Sequence, residues 1–147
     1  MYTNLLVPVD GTEISEQAMR SSVALARQLG ARITAFVAEP AGPMPATGQT
    51  PPGIAREHEM HVARTERHAR ELLQRFEATA RAAGVGFAGH HVWTEHVDDA
   101  IVGAAAEHGC DMIVMVTHGR SALARFFHGS HTAGVMARSK LPVLVLH

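Results

Sequence analysis

The sequence predicts an α/β protein in which an open parallel sheet carries helices on both faces. Short apolar runs alternate with longer segments of helical periodicity along the 147 residues, in the order βαβαβαβαβ. The runs at 4–9 (NLLVPV) and 111–116 (DMIVMV) are apolar almost without interruption, which is typical of parallel strands covered on both faces. The length and the 46% apolar content fit one domain over residues 1–147 with one hydrophobic core.

The first third of the chain predicts a strand, a helix, a second strand and a loop. The strand at 4–9 ends at Asp10, and Gly30 is the predicted C-cap of the helix that follows. The apolar stripe of this helix consists of Ile14, Ala18, Leu25 and Leu29. Residues 32–38 (RITAFVA) form the second predicted strand. Residues 39–53 hold five of the seven prolines and three glycines, which predicts an irregular, mobile loop.

The rest of the chain predicts three helices and three strands. A long helix at 54–83 buries Ala69, Leu72, Leu73, Phe76, Ala80 and Ala83, and its six arginines and five glutamates indicate a solvated outer face. A strand at 86–94 and a helix from Val97 come next, with Asp98 and Asp99 in the first turn of that helix. The strand at 111–116, a helix near 130–139 and a strand at 141–146 complete the pattern.

Composition and charge exclude several classes of protein. The net charge of −1 makes nucleic acid and anionic membranes poor partners. A single cysteine, Cys110, excludes a disulfide within the chain and fits a reducing compartment. No signal-peptide pattern and no apolar run of membrane-spanning length occurs, so we expect a soluble, cytoplasmic protein. Lys140 is the only lysine, which excludes a phosphate-binding loop of the GxxxxGK[ST] type.

Polar residues follow two of the predicted strands, where parallel sheets bind ligands. An acid and a hydroxyl, Asp10 and Thr12, come directly after the first strand. The segment 115–132 (MVTHGRSALARFFHGSHT) follows the fourth strand, and Ser130 opens a helix in it. A hydroxyl beside the free amides of a helix N-terminus suits a phosphate group, although a plain N-cap serine preceded by two turn glycines, Gly119 and Gly129, explains the same residues.

Together these segments resemble the universal stress protein family, whose nucleotide-binding members carry a G-x2-G-x9-G-[ST] motif after the fourth strand. The resemblance covers the whole chain: the VPVDGT opening, the AFVAEP strand, CDMIVM, the THGR…HGS loop and the closing LPVLVL. It implies a flavodoxin-like sheet, also described as adenine nucleotide alpha hydrolase-like, with strand order 3-2-1-4-5.

The family resemblance also implies a nucleotide site. By this resemblance, Asp10 would lie beside the ribose or the metal-bridged phosphates, and the Val37 backbone would contact the adenine. Met115 would line the base or the sugar, and His118 would lie along the phosphates. The full set of candidate binding residues is Pro8, Val9, Asp10, Gly11, Thr12, Val37, Met115, Val116, His118, Gly119, Arg120, Gly129, Ser130, His131 and Thr132. One position departs from the motif, because Val116 stands where the family has its first glycine. The branched side chain of Val116 either narrows the pocket or points away from it.

Three functional hypotheses follow. The first is a regulatory module that binds ATP, with or without Mg²⁺, and acts in stress response as a homodimer. The resemblance implies that the dimer forms through the C-terminal strand, residues 142–146, which would otherwise be an exposed sheet edge. The second is an interaction protein whose pocket Val116 has closed. The third is a slow ATPase, for which only Asp10 is placed as a base.

Other candidate residues favour structural roles. His58 and His61 could hold zinc, but on an arginine-rich helix face they are more typical of surface residues. His90 and His91 point to opposite faces of a strand. Asp98 and Asp99 face different ways on their helix. Cys110 is expected to be an inert core thiol.

Overall fold

A computed structural model of the protein describes residues 1–9, 16–40, 52–116 and 131–146. Strands and helices alternate along these residues. The elements are β1 (Asn4–Val9), α1 (Glu16–Leu29), β2 (Arg32–Glu39), α2 (Pro52–Ala82), β3 (Phe87–Trp93), α3 (Val97–Glu107), β4 (Met112–Val116), α4 (His131–Arg138) and β5 (Val143–Leu146). None of the helices within these ranges is long and apolar enough to cross a bilayer.

The five strands form one parallel sheet in the order β3-β2-β1-β4-β5. The predicted fold class and strand order are therefore confirmed. β1 pairs with β2 from Asn4↔Arg32 to Val9↔Val37, and on its other side Leu5 pairs with Met112 of β4. The chain order reverses at β1, so its two neighbours lead to helices on opposite faces of the sheet.

Two sequence-based boundaries need correction. Glu39 belongs to β2, because its carbonyl accepts a hydrogen bond from the Thr94 N–H at 2.9 Å. α2 begins at Pro52, where the fixed φ angle of proline suits a first helical position. The predicted 39–53 loop is therefore shorter at both ends, and residues 41–51 lie outside the described ranges.

Each face of the sheet covers its own apolar cluster. Leu5, Val7 and Val9 of β1 pack towards α1 and α2, whereas Leu6 packs towards α3 and α4. This alternation follows from the two-residue period of a strand. The apolar stripe of α2 is confirmed at Ala69, Leu72, Phe76 and Ala80, whereas Leu73 and Ala83 are only partly buried.

The prediction for α1 was partly wrong. Leu25 and Leu29 are only partly buried, and Ile14 lies outside the described residues. The buried stripe of α1 is rotated from the one that the leucines mark, and three of its five residues are alanine or serine. At the end of the helix, Gly30 has a φ of 67°, the left-handed value that suits a C-cap. The buried residues of α1 are Ala18, Met19, Ser22, Val23 and Ala26.

Polar side chains tie the start of β1 to the start of β4. The Asp111 carboxylate accepts hydrogen bonds from the Thr3 N–H at 2.7 Å, the Thr3 hydroxyl at 2.8 Å and the Asn4 N–H at 3.1 Å. Asn4 is itself buried, and its side chain donates to the His108 carbonyl and accepts from the Thr34 hydroxyl. These bonds set the register of the central strands at the end opposite the candidate site.

Candidate functional site at the carboxyl ends of the strands

A cavity of about 750 Å³ lies at the carboxyl ends of β1, β2 and β4. This is the sheet edge where the chain order reverses, the usual ligand position in an open α/β sheet. The volume falls within the range of small-molecule sites. The described residues in its wall are Pro8, Val9, Phe36, Ala38, Glu39, Pro40, His61, Arg64, Thr65, His68, Val97, Ile101, Met115, Val116 and His131.

The residues proposed from sequence fall into three groups. Pro8, Val9, Met115, Val116 and His131 lie together in the cavity wall. Val37 and Thr132 are buried beside it, and the Val37 side chain packs into the cluster under α1 and α2. Asp10, Gly11, Thr12, His118, Gly119, Arg120, Gly129 and Ser130 lie outside the described residues.

One wall of the cavity comes from α2, whose charged face was predicted to be solvated. His61, Arg64, Thr65 and His68 follow the i, i+3, i+4, i+7 spacing and line the cavity together. That spacing was visible in the sequence. The sequence did not reveal that the N-terminal half of α2 covers the strand ends.

Arg64 differs from other arginines of α2 in its helical neighbours. Arg70 and Arg81 each pair with a glutamate four residues earlier, at 3.4 and 2.7 Å. The positions three and four residues from Arg64 hold methionine, histidine and arginine, so no carboxylate lies within helical reach. Within the described part of the chain, no carboxylate lies within 4.0 Å of its guanidinium, and the side chain is exposed at the cavity.

A nearly buried acid lies at the end of β2 in the wall of the cavity. The Glu39 side chain is 9% exposed, and its Oε2 atom lies 3.5 Å from Nε2 of His91. Neither atom has a hydrogen-bond partner among the described residues, so the two groups are close but poorly aligned. The imidazole of His91 also meets the edge of the Trp93 ring, with centroids 4.8 Å apart.

His131, the first residue of α4, is held by α3. Its Nδ1 atom lies 2.7 Å from Oδ1 of Asp98. An ionised carboxylate only accepts hydrogen bonds, so Nδ1 carries the proton in this contact. Arg138 joins the same cluster, at 3.8 Å from Asp98 and 3.0 Å from Asp99. One guanidinium therefore reaches both carboxylates in the first turn of α3.

The remaining histidines and the cysteine have other surroundings. His90 stacks on His108 with ring centroids 3.9 Å apart, on the α3 side of β3, whereas His91 faces Glu39. Among the described residues there is no group of three or more histidine, cysteine, aspartate or glutamate side chains arranged to hold a metal ion. Cys110 is a buried free thiol of the α3-side cluster, and its burial raises its pKa.

The strand order, together with a ligand-sized cavity where the order reverses, defines a flavodoxin-like α/β protein with a candidate small-molecule site. The sequence profile of the universal stress protein family matches residues 1–147. The chain therefore belongs to the universal stress protein family.

Individual relatives agree with this assignment. A universal stress protein of Methanocaldococcus jannaschii is 27% identical over 150 residues, covering 99% of this chain and 82% of the relative. A universal stress protein solved in complex with cAMP has a TM-score of 0.66 at 24% identity, covering 99% of this chain and 97% of that chain. The Archaeoglobus fulgidus universal stress protein in complex with dAMP has a TM-score of 0.64 at 23% identity, covering 99% and 98%.

Proposed function

We propose that this protein binds an adenine nucleotide in the cavity at the carboxyl ends of β1, β2 and β4, and acts as a nucleotide-dependent regulatory module in stress response. The observation that carries the proposal is the cavity itself, which has the size of a nucleotide site and lies where the strand order reverses. Two proteins with the same fold were solved with cAMP and with dAMP, which supports an adenine nucleotide as the ligand class.

The walls of the cavity differ in chemistry from one end to the other. Val9, Phe36, Ala38 and Met115 offer apolar surface to a base or sugar. At the other end, the first turn of α4 begins at His131, where backbone amides and the helix dipole favour an anion. In this proposal the segments 10–12, 118–120 and 129–130 complete the site around the sugar and the phosphates of ATP, with Mg²⁺ where the triphosphate is bound.

Calorimetric titration with adenosine, AMP, cAMP and ATP with Mg²⁺ tests this proposal. We expect at least one phosphorylated ligand to bind with a Kd below about 1 mM, about −4 kcal/mol or tighter. Ala38→Phe places a ring in the cavity and should abolish the heat signal, whereas Ala82→Phe, on the exposed end of α2, should retain it. Circular dichroism establishes that both variants fold. The absence of binding by all four ligands at millimolar concentration would contradict the proposal.

A second function, that of an interaction protein without nucleotide, is favoured by one observation. Val116 lies in the cavity wall at the end of β4, paired in register with Leu146. A branched side chain there occupies space that a glycine would leave to the ligand. If the wild-type protein binds no nucleotide and Val116→Gly binds ATP, Val116 blocks the site and the second function is correct. Equal affinity in both proteins would mean that Val116 does not obstruct the ligand.

The proposed module is a homodimer that pairs through β5. β5 is an edge strand whose residues are only partly buried, and it pairs with β4 on one side. The Ile113 N–H donates a hydrogen bond to the Pro142 carbonyl. In a parallel ladder the backbone N–H and C=O of Leu144 then also point towards β4, whereas those of Val143 and Val145 point outwards. A partner strand would satisfy these groups.

Light scattering coupled to size-exclusion chromatography tests the dimer. Val145→Pro removes an outward N–H and should produce a monomer at tens of micromolar, because the β4 ladder does not use that group. Val145→Ala also removes the packing of the valine side chain but keeps the backbone N–H, so this variant should remain a dimer. A monomeric wild-type protein, or a dimeric Val145→Pro variant, would contradict pairing through β5.

A further inference from the structure

The Glu39 carboxylate has no hydrogen-bond donor among the described residues that accounts for its position. It closes β2 in the wall of the cavity, with nine-tenths of its side chain buried. Its Oε2 atom is inaccessible and accepts no hydrogen bond from these residues, although His91 Nε2 lies 3.5 Å away. A buried carboxylate without donors is costly, so proteins keep such a group where a partner or a ligand supplies one.

The fold holds this carboxylate in a defined place. The Glu39 carbonyl is bonded to the Thr94 N–H, and Glu39 pairs in register with Trp93 of β3. His91, two residues before Trp93, lies on the same face of the sheet and flanks Oε2. Oε2 is therefore turned towards β3. Glu39 itself lines the cavity.

We propose that Glu39 is a specificity-determining residue that reads the base of the bound nucleotide by accepting a hydrogen bond from an exocyclic amino group. The inference rests on the proposed function and deepens it. A carboxylate accepts hydrogen bonds and cannot donate one, so it attracts the 6-amino group of adenine. The same carboxylate repels the 6-oxo group of hypoxanthine, which is also an acceptor.

Two charges around the cavity favour this orientation, whereas Arg64 of α2 would attract a phosphate to its own helix. A phosphate is repelled by the Glu39 carboxylate and attracted by the first turn of α4, where His131 lies in the wall. Phe36, Ala38 and Pro40, which surround Glu39 in sequence, line the cavity and provide apolar surface for a planar base. A nucleotide therefore lies with its base towards β2 and its phosphate towards α4.

The experiment compares AMP with IMP, which differ in the group at position 6 of the purine. By calorimetric titration, the wild-type protein should bind AMP about ten- to a hundredfold more tightly than IMP, as expected for one hydrogen bond to a buried charge. In Glu39→Gln the ratio should fall to near one, because an amide can also donate to the 6-oxo group. Glu71→Gln, on the exposed outer face of α2, should keep the wild-type ratio.

Each result has a defined meaning. Equal affinity of the wild-type protein for AMP and IMP would overturn the role of Glu39 while leaving nucleotide binding intact, and so would an unchanged ratio in Glu39→Gln. Binding of neither nucleotide would contradict the proposed function as a whole. Arg64→Gln tests the opposite orientation: if it weakens AMP binding tenfold and leaves adenosine binding unchanged, the phosphate lies at α2, and the base is not at Glu39.

Discussion

The Nδ1 atom of His131 lies 2.7 Å from Oδ1 of Asp98, and this contact joins the first turn of α3 to the first residue of α4 beside the cavity. A glycine makes the arrangement possible. A Cβ atom on Gly134, one turn further along α4, would collide with Oδ2 of Asp98. The helices approach closely here because that position has no side chain.

Replacing Gly134 tests this packing. Gly134→Ala should gain about 0.8–1 kcal/mol of helix propensity, but the new methyl group displaces Asp98 and breaks its contacts with His131 and Arg138. We expect a stabilisation of about 1 kcal/mol in an Asp98→Ala background and a smaller one, or none, in the wild-type background. Urea unfolding of the four proteins measures the difference. Equal effects in both backgrounds would show that the added methyl group and the Asp98 side chain do not interfere.

The stacked pair His90 and His108 predicts acid sensitivity. Partial burial lowers the pKa of His90, and the neighbouring imidazole of His108 lowers it further against a smaller opposing effect of Glu107. The unfolded chain therefore binds a proton at this site more readily than the folded one. The contribution to stability is present above the unfolded pKa of about 6.5 and is lost as the pH falls through that value towards the lower folded pKa.

A histidine-to-glutamine variant measures this contribution. Between about pH 7.5 and pH 5, the range that spans histidine titration, the free energy of unfolding of the wild-type protein should fall more than that of His90→Gln. His96→Gln changes an exposed residue before α3 whose side chain makes no capping hydrogen bond, and it should lose as much stability as the wild type over the same range. Identical pH dependence in the wild type and His90→Gln would rule out a role for the stacked pair.

Asp111 predicts a second pH dependence with a different midpoint. Burial raises the pKa of Asp111, but the hydrogen bonds from Thr3 and Asn4 outweigh burial and hold the pKa below its ordinary value. The stabilisation is therefore complete above the unfolded pKa of about 3.9 and is lost as the pH falls through the lower folded pKa. Asp111→Ala should destabilise the protein by about 1–3 kcal/mol at pH 7, because three donors lose a charged acceptor.

Chemical denaturation at pH 7 and below about pH 3 measures the effect of Asp111→Ala. The difference from the wild type should shrink as the pH falls through the lowered pKa of Asp111, because the carboxyl group then becomes protonated in the folded chain as well. Asp99→Ala, which removes an exposed carboxylate, should cost no more than about 1 kcal/mol at pH 7. A difference for Asp111→Ala that does not change with pH would point to lost packing instead of lost hydrogen bonds.

Cys110 should react slowly with thiol reagents in the folded protein. The thiol is 7% exposed, and its burial raises its pKa, although a hydrogen bond with Thr34 partly opposes this effect. The thiolate is the reactive form, so both access and ionisation are reduced. Reaction with an aromatic disulfide reagent at about pH 7.5 should be about 100-fold slower than in guanidinium chloride, as an opening free energy of about 3 kcal/mol would impose. Equal rates would mean that Cys110 is accessible in the native state.

Much of the fold could be predicted from the sequence, because each element has a local pattern of its own. The apolar runs that became β1 and β4 have the composition of strands covered on both faces, and the stripe from Ala69 to Ala80 has the period of a helix with one buried face. Gly30 ends its helix with a positive φ angle, as its position predicted. These features depend on residues a few positions apart, so periodicity and turn chemistry are enough to find them.

Contacts between distant residues were decided only by the tertiary structure. His61, Arg64 and His68 of α2 line the cavity, and periodicity does not reveal this. A stripe of basic residues on a helix has the same sequence pattern whether it faces solvent or a ligand site. The approach of Glu39 to His91 depends on the register between β2 and β3, and the contact of Asp98 with His131 depends on how α3 meets α4. The sequence determined which segments bury a face, since burial follows from local hydrophobicity. The packing of those segments decided which polar side chains meet at the carboxyl ends of the strands, since that depends on the relative position of whole helices and strands.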